Sequence, residues 1–174
     1  MNYDIIVLGS GPGGYVTAIR ASQLGLKTAI IEREELGGIC LNWGCIPTKA
    51  LLKSANVFEY LMHAEDYGIK TTGGEADFGA MIKRSRGVAD GMSNGIQFLM
   101  KKNKIDVLKG TGKVQAGKKV EVTNEKGEKQ IYTADKGLII ATGARSRQLP
   151  NLPQDGKKVI GYREAMTLEK QPKK

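Results

Sequence analysis

Asp4-Ile5-Ile6-Val7-Leu8-Gly9-Ser10-Gly11-Pro12-Gly13-Gly14 is the stretch whose reading decides the fold. The unbroken aliphatic run Ile5–Leu8 predicts a strand buried on both faces. Glycines and a proline follow. Tyr15–Leu24 then reads as a helix stopped by Gly25. Lys27–Ile31 reads as a second buried strand, ending at Glu32. Strand, helix, strand within about thirty residues is a βαβ unit with a parallel pair.

Gly9, Gly11 and Gly14 fit G-x-G-x-x-G. The first glycine lets the chain turn tightly off the strand. The second leaves space for a pyrophosphate to approach the backbone, and the third lets helix and strand pack closely. The helix N-terminus offers N–H groups and partial positive charge to phosphates. Between a buried strand and a helix, this turn predicts dinucleotide binding. Glu32 lies about 20 residues on, where a carboxylate takes ribose hydroxyls. Its charge repels a 2′-phosphate, although Arg33 beside it tempers that argument. FAD or NAD is favoured over NADP.

Composition sets outer bounds. The 174 residues are 40% hydrophobic and 26% charged, which is globular and leaves room to bury a core. No apolar run approaches the ~20 residues of a membrane span. The N-terminus has no basic n-region before its first acidic residue, so it does not read as a signal peptide. A soluble cytoplasmic protein is expected. The net charge of +9 invites a nucleic-acid reading. However, the basic residues (Lys101, Lys102, Lys104, Lys118, Lys119, Lys170, Lys173, Lys174) are spread through loops and the C-terminal end, with no aromatic platform among them. They read as solvated surface, so neither nucleic acid nor membrane is expected as a partner.

Residues 33–46 read as irregular and glycine-rich, and Thr48–Met62 as a helix begun near Pro47. Residues 67–77 read as a polar loop. Phe78–Lys102 carries helical periodicity through Met81, Ile82, Val88, Met92, Ile96, Leu99 and Met100. Gly87, Gly91 and Gly95 recur every fourth position in it, predicting close approach to another backbone. Ile105–Leu108, Gly110–Val114, Lys119–Thr123 and Gln130–Thr133 read as short strands, the last of them forming a hairpin or a three-stranded meander. Gly137–Ala141 reads as a further buried strand, then residues 146–158 as loop. Val159-Ile160 reads as a short strand, Glu164–Leu168 as a helical turn and Lys170–Lys174 as a linker.

Cys40 and Cys45 enclose Leu41-Asn42-Trp43-Gly44. This is C-x4-C, not the C-x2-C of zinc sites, and His63 is the only histidine, so no metal is expected. A redox disulfide and two unrelated buried thiols remain open. Residues i and i+5 of an ideal helix lie roughly 8–9 Å apart at Cα. A disulfide tolerates at most about 7 Å. If the two bond, the segment cannot be regular helix between them; Gly44 supplies the freedom to break it. Lys49, one helical turn after Cys45, could stabilise a thiolate or a reduced flavin, or be an ordinary solvated lysine.

Gly37-Gly38-Ile39-Cys40-Leu41-Asn42-Trp43-Gly44-Cys45-Ile46-Pro47-Thr48-Lys49 resembles the redox-disulfide signature of the class I pyridine nucleotide–disulfide oxidoreductases. Leu41 and Ile46 make it most similar to the members that oxidise dihydrolipoyl groups. Members acting on glutathione or mercuric ion tend to carry Val there. Gly9–Gly14, Glu32, Gly110–Lys113 and Ala141-Thr142-Gly143-Ala144 extend the resemblance along the chain.

The resemblance implies an α/β, Rossmann-like FAD-binding domain with a parallel central sheet and an inserted β-meander, incomplete relative to the family. Residues 1–145 would be the FAD-binding part, and residues 146–174 the connection toward an absent NAD-binding domain. Gly9, Gly11 and Gly14 would hold the FAD pyrophosphate and Glu32 the adenosine ribose. Arg33, Gly38, Lys49, Gly112, Thr142, Gly143 and Ala144 would complete the cofactor site. Cys40 would be the outer thiol that attacks the lipoyl disulfide, and Cys45 the inner thiol against the flavin. Electrons would pass from dihydrolipoyl groups through this pair and FAD to NAD+.

Lipoyl domains of 2-oxo acid dehydrogenase or glycine cleavage complexes, and a second copy of the full-length protein, are the implied partners. The second nucleotide motif, the later flavin segment and the C-terminal His-Glu pair of the family are not in these residues. His63 cannot stand for that histidine. The chain is therefore expected to be an N-terminal portion that alone binds FAD weakly or not at all and does not turn over. A glutathione- or mercuric-reductase-like member and a non-catalytic FAD-binding module are the alternatives.

Overall fold

A computed structural model describes residues 1–173, so Lys174, counted above with the basic residues and the linker, lies outside the described residues. The first strand, β1 (Asn2–Leu8), is followed by α1 (Pro12–Gln23) and β2 (Thr28–Glu32). Two consecutive helices follow, α2 (Gly38–Trp43) and α3 (Cys45–Met62), then a 3-10 turn at Ala64–Tyr67 and the long α4 (Phe78–Lys102). Four strands come next: β3 (Asp106–Lys109), β4 (Thr111–Gln115), β5 (Lys119–Thr123) and β6 (Lys129–Ile140). A single-turn α5 (Tyr162–Ala165) completes the elements.

The chain forms two compact units. Residues 1–42 and 91–145 make the first; residues 43–90 and the described residues from 146 onward make the second. All six strands lie in the first, in one sheet of order β3-β2-β1-β6-β5-β4. β3, β2, β1 and β6 run parallel, and β6, β5 and β4 form an antiparallel meander. The expected fold class is therefore the one found.

β1 is buried on both faces, as its aliphatic run requires. Ile6 and Leu8 join Tyr3, Ala29, Ile31, Val120, Val122, Tyr132 and Ala134 in one cluster, while Val7 is also inaccessible. α1 packs on β1 and β2 through Gly14, Ala18 and Ala21. Tyr3 ties the start of β1 to the sheet. Its hydroxyl donates to Asp106 at 3.0 Å, and the Lys27 ammonium lies 5.0 Å from its ring centroid. Burial, and then the Asp106 carboxylate, push its pKa up to about 12.

Several expectations need correction. α1 starts at Pro12 rather than Tyr15, because Pro12 lacks the N–H that a first helical turn leaves unused. The segment around the cysteines is not irregular but two helices interrupted at Gly44, whose φ and ψ are −144° and −112°. Gln130–Thr133 and Gly137–Ile140 belong to one twelve-residue strand that stops before Ala141, and its end is not buried, since Ile140 is 67% exposed. No strand forms at Val159-Ile160, and the helical turn falls at Tyr162–Ala165 rather than Glu164–Leu168.

The apolar positions of α4 mislead. Its buried stripe is Ser85, Ala89, Ser93, Ile96 and Met100, whereas Val88 and Met92 are exposed. Gly87, Gly91 and Gly95 lie on the exposed side, and a Cβ built at any of them meets nothing within 4 Å. The expected close backbone approach is absent among the described residues.

Candidate functional site

The first unit assembles the glycine turn from three directions. At the end of β1 the Gly9 N–H donates to the Ile31 carbonyl at 2.9 Å, and Gly9 has φ +92°. A Cβ there would lie 2.3 Å from the Ala141 carbonyl oxygen. One at Gly14 would lie 1.8 Å from the Gly9 carbonyl oxygen. These two glycines therefore serve packing, bringing helix, strand and the residues after β6 together. Gly11 differs: a Cβ there meets nothing within 4 Å. Gly11 is the N-cap of α1 and makes no side-chain cap bond, so the positive end of the helix carries bare backbone. That is the chemistry a pyrophosphate requires, and the cradle fits one.

Behind the turn lies Ser10, which is fully buried. Its N–H and its hydroxyl donate to Glu32 Oε2 at 2.9 and 2.6 Å. Glu32 Oε1 accepts the N–H groups of Arg33 and Glu34, both at 2.9 Å. Four donors thus orient the carboxylate at the end of β2. Arg33 itself is exposed. Arg145, just beyond β6, pairs with Glu34.

The same unit brings the cysteine segment to the turn. The position of a Cβ on Gly38, at the start of α2, is 2.7 Å from the Gly11 Cα, and the Gly37 N–H donates to the Ser10 carbonyl at 3.0 Å. Cys40 lies two residues further along α2. Gly112, in β4, lies over Leu8, Ile31 and Val120, which a Cβ there would approach to 3.3–3.4 Å. Thr142, Gly143 and Ala144 are exposed directly after β6.

Both cysteines are disulfide-bonded, and they are the only two in the chain, so Cys40 is linked to Cys45. The bond spans the helix break at Gly44. Cys45 is the first residue of α3 and is exposed, while Cys40 is half-buried. A helix N-terminus lowers the pKa of a cysteine thiol placed on it, so Cys45 sits where a thiolate is favoured once the bond opens. Lys49 lies four residues along α3 and is exposed.

Asn42 has a part that the C-x4-C spacing does not announce. It is buried, and its amide donates to the Leu36 and Gly38 carbonyls, both at 3.0 Å. The Ser93 hydroxyl donates to the same Leu36 carbonyl at 2.9 Å. Together these anchor the segment carrying Cys40. Asn42 was findable as a buried-type polar residue inside C-x4-C. Ser93 carried no signal, because its partner is 57 positions away.

Comparison with known proteins agrees with this geometry. A family model described as pyridine nucleotide-disulphide oxidoreductase matches residues 3–174. The dihydrolipoyl dehydrogenase of Zymomonas mobilis subsp. mobilis is 50% identical over 173 residues, covering 99% of this chain and 37% of that protein. The dihydrolipoyl dehydrogenase of Rhizobium etli is 51% identical over 188 residues, covering 99% of this chain and 39% of that protein. The crystal structure of LpdA from Mycobacterium tuberculosis superposes with a TM-score of 0.85 at 23% identity, over 95% of this chain and 37% of that one, and shows the same fold. The chain spans less than two-fifths of the length of these relatives. With a glycine turn, an acid-ended second strand, a disulfide across a helix break and a match over nearly every residue, the chain belongs to the pyridine nucleotide-disulphide oxidoreductase family.

Proposed function

We propose that this chain provides the FAD-binding and disulfide-bearing part of a dihydrolipoyl dehydrogenase, in which the Cys40–Cys45 bond accepts an electron pair from protein-bound dihydrolipoyl groups. One observation carries the reading: the bond straddles a helix break whose preceding helix starts against the glycine turn. Gly9, Gly11 and Gly14 would shape the pyrophosphate cradle, and Glu32, oriented by Ser10, would hold the ribose hydroxyls. Gly38, Gly112, Thr142, Gly143 and Ala144 would complete the cofactor surface of the first unit, with Arg33 at its rim, and Lys49 on α3 would be the cation that stabilises a thiolate or a reduced flavin. FAD, when bound, supplies the two-electron carrier between the disulfide and NAD+.

The chain's own chemistry is thiol–disulfide exchange. A substrate thiolate attacks Cys40 Sγ. The Sγ–Sγ bond breaks, and its electron pair leaves on Cys45 Sγ at the head of α3. The second substrate thiol then displaces Cys40 and closes the lipoyl disulfide. The substrate loses two electrons and the cysteine pair gains them. Cys45 serves as the leaving thiolate because the N-terminus of α3 favours its charge. In the reverse direction the Cys40 thiolate attacks the lipoyl disulfide.

In this reading residues 146–174 lead toward an NAD-binding domain. Lipoyl domains and a second copy of the longer protein are its partners, and the cytoplasm is its setting. No helix among the described residues is long and apolar enough to cross a membrane.

The test is stoichiometric and needs no turnover. Anaerobic dihydrolipoamide should release two alkylatable thiols per chain and itself be oxidised to lipoamide, whereas Cys45→Ser, which holds no disulfide, should leave dihydrolipoamide unoxidised. Failure of the wild-type chain to yield thiols under excess dihydrolipoamide would defeat the proposal. Faster reduction by glutathione than by dihydrolipoamide would favour the glutathione-type alternative.

A further inference from the structure

α3 is apolar right round its circumference. Leu51, Leu52, Val57, Phe58 and Tyr60 fall on different sides at about 100° per residue, yet only Pro47 and Ala50 are buried. A helix of that pattern calls for cover on more than one side. α4 supplies it on one: Arg84 Nη1 donates to the Ala50 carbonyl at 2.9 Å and to the Ser54 hydroxyl at 3.3 Å. Opposite those two residues, Leu52, Asn56 and Tyr60 form an exposed stripe at four-residue spacing. Lys53 and Val57 flank it, with the Lys53 ammonium 6.0 Å from the Tyr60 ring centroid. Tyr67, in the 3-10 turn after α3, meets the Tyr60 ring edge to face at 5.8 Å. All these residues belong to the second unit.

Leu52, Val57, Tyr60 and Tyr67 are each more than half exposed. They offer roughly 500 Å² of side-chain surface, in the upper range of the largest apolar patch of a monomer. With Lys53 and Asn56 the face reaches about 700 Å², close to what each partner gives to a stable interface. Its charges have an order. Lys49 and Lys53 stand in the first half of α3, Glu59 in its last turn, and Glu65 and Asp66 in the 3-10 turn; all five are exposed. His63, between the acids, places its Nε2 3.1 Å from Glu59 Oε1. This order opposes the helix macrodipole, which favours acids at the N-terminus and bases at the C-terminus. α3 has no acid in its first turn and no base in its last. Cover for this face must be acidic at one end and basic at the other. The same face turned end for end has that order.

We propose that this face of α3 is where two copies of the chain meet, antiparallel about a two-fold axis near Asn56. A two-fold contact presents the same patch from both sides. It sets Leu52 of one copy toward Tyr60 of the other, and Lys53 toward Glu59, so that one apolar pair and one ion pair are each made twice. Tyrosine suits the centre of such a contact, because its ring is large and amphipathic and loses few rotamers on burial. Tyr67 already holds the Tyr60 ring from one side. The charge order that a lone α3 disfavours becomes favourable across the pair. This deepens the reading above, which names a second copy as partner, and rests on that part of it; the disulfide chemistry plays no part.

Sedimentation of the chain at concentrations up to about 100 µM should show a reversible monomer–dimer equilibrium. Tyr60→Asp should weaken it about tenfold or more, since a central tyrosine carries much of the binding. Lys53→Glu and Glu59→Lys should each weaken it about three- to tenfold, whereas the double variant should return to within about threefold of the parent, because the two-fold axis restores both ion pairs. The substituted side chains are exposed, so urea midpoints should stay near the parent's; Leu52→Asp repeats the apolar test if Tyr60→Asp does not fold. A chain still monomeric at the highest concentration overturns the inference and leaves the face to a segment of the longer protein or to a lipoyl domain. So does a dimer that neither apolar variant weakens, or a double charge swap as weak as the single ones. Thiol release by dihydrolipoamide, measured on the same sample, tests the disulfide reading separately, so either can fail alone.

Discussion

Two glycine-rich regions show how differently one residue type can be used. In the first, β1 runs through the turn at Gly9–Gly14 into α1. In the second, α4 carries Gly87, Gly91 and Gly95 at helical spacing. An added Cβ at Gly9 or Gly14 would meet a backbone carbonyl at 2.3 or 1.8 Å, yet at the three glycines of α4 it meets nothing within 4 Å. Backbone cannot yield as a flexible side chain can, so glycine is obligatory at Gly9 and Gly14 of the first region. In the second it leaves exposed helix without a side chain. Regular spacing of glycines therefore reveals no contact by itself. The contact comes from what the neighbouring strand brings to it.

The largest effect that would break this contrast is at Gly14. Gly14→Ala should destabilise the chain by about 3 kcal/mol or more, since Gly9 and the start of α1 must part. A urea midpoint close to wild type would show that the strand–turn–helix packing is looser than described. Tyr3 tests the same region through pH. Its pKa is about 12 in the fold against about 10 unfolded, so the neutral phenol is the form the fold prefers. That stabilisation is complete below pH 10 and is lost as pH rises from 10 toward 12. It amounts to about 2–3 kcal/mol in the limit. Urea midpoints of wild type and Tyr3→Phe, compared across that window, should converge as the pH climbs. Parallel curves would remove Tyr3 from the account.

Smaller effects sharpen the description of α4. Ser93→Ala removes a hydroxyl that donates to the Leu36 carbonyl and should cost about 1–2 kcal/mol. Asn42 still donates to that carbonyl, which limits the loss. Hydrogen exchange at Gly38–Asn42 should accelerate in this variant, and unchanged protection there would mean that Ser93 does not anchor the cysteine segment. Smallest of all, Gly91→Ala should stabilise the chain by about 0.5–1 kcal/mol through helix propensity. A lower thermal midpoint instead would reveal a partner for the glycine face.

The Rossmann-like sheet, the glycine turn and the C-x4-C pair could all be read from the chain. Each depends on interactions between residues close in sequence, or on a pattern as local as an aliphatic run before a glycine turn. The stripe buried by α4 could not. Ile96 and Met100 are buried as their spacing suggests, but Val88 and Met92 are exposed while Ser85, Ala89 and Ser93 are buried. Side-chain hydrophobicity predicts which residues gain from burial, not which face of a helix lies against the rest of the molecule. Nor could periodicity show the helix at Gly38–Trp43, because six residues are too few for a pattern to declare itself.

The sequence by itself determined the order of β1, turn, α1 and β2, the acid that ends β2, and the two sulfurs five positions apart. Backbone sterics, aliphatic burial and chain connectivity act over short separations, so those features are written locally. Only tertiary structure decided that Ser10 orients Glu32, that Asn42 and Ser93 share the Leu36 carbonyl, and that Arg86 and Arg163 meet over Trp43. Those contacts join residues 22 to 120 positions apart, or share one acceptor between distant donors. Hydrogen bonds and cation–ring contacts are short-ranged in space and indifferent to separation along the chain, so they exist only once the fold has brought their partners together.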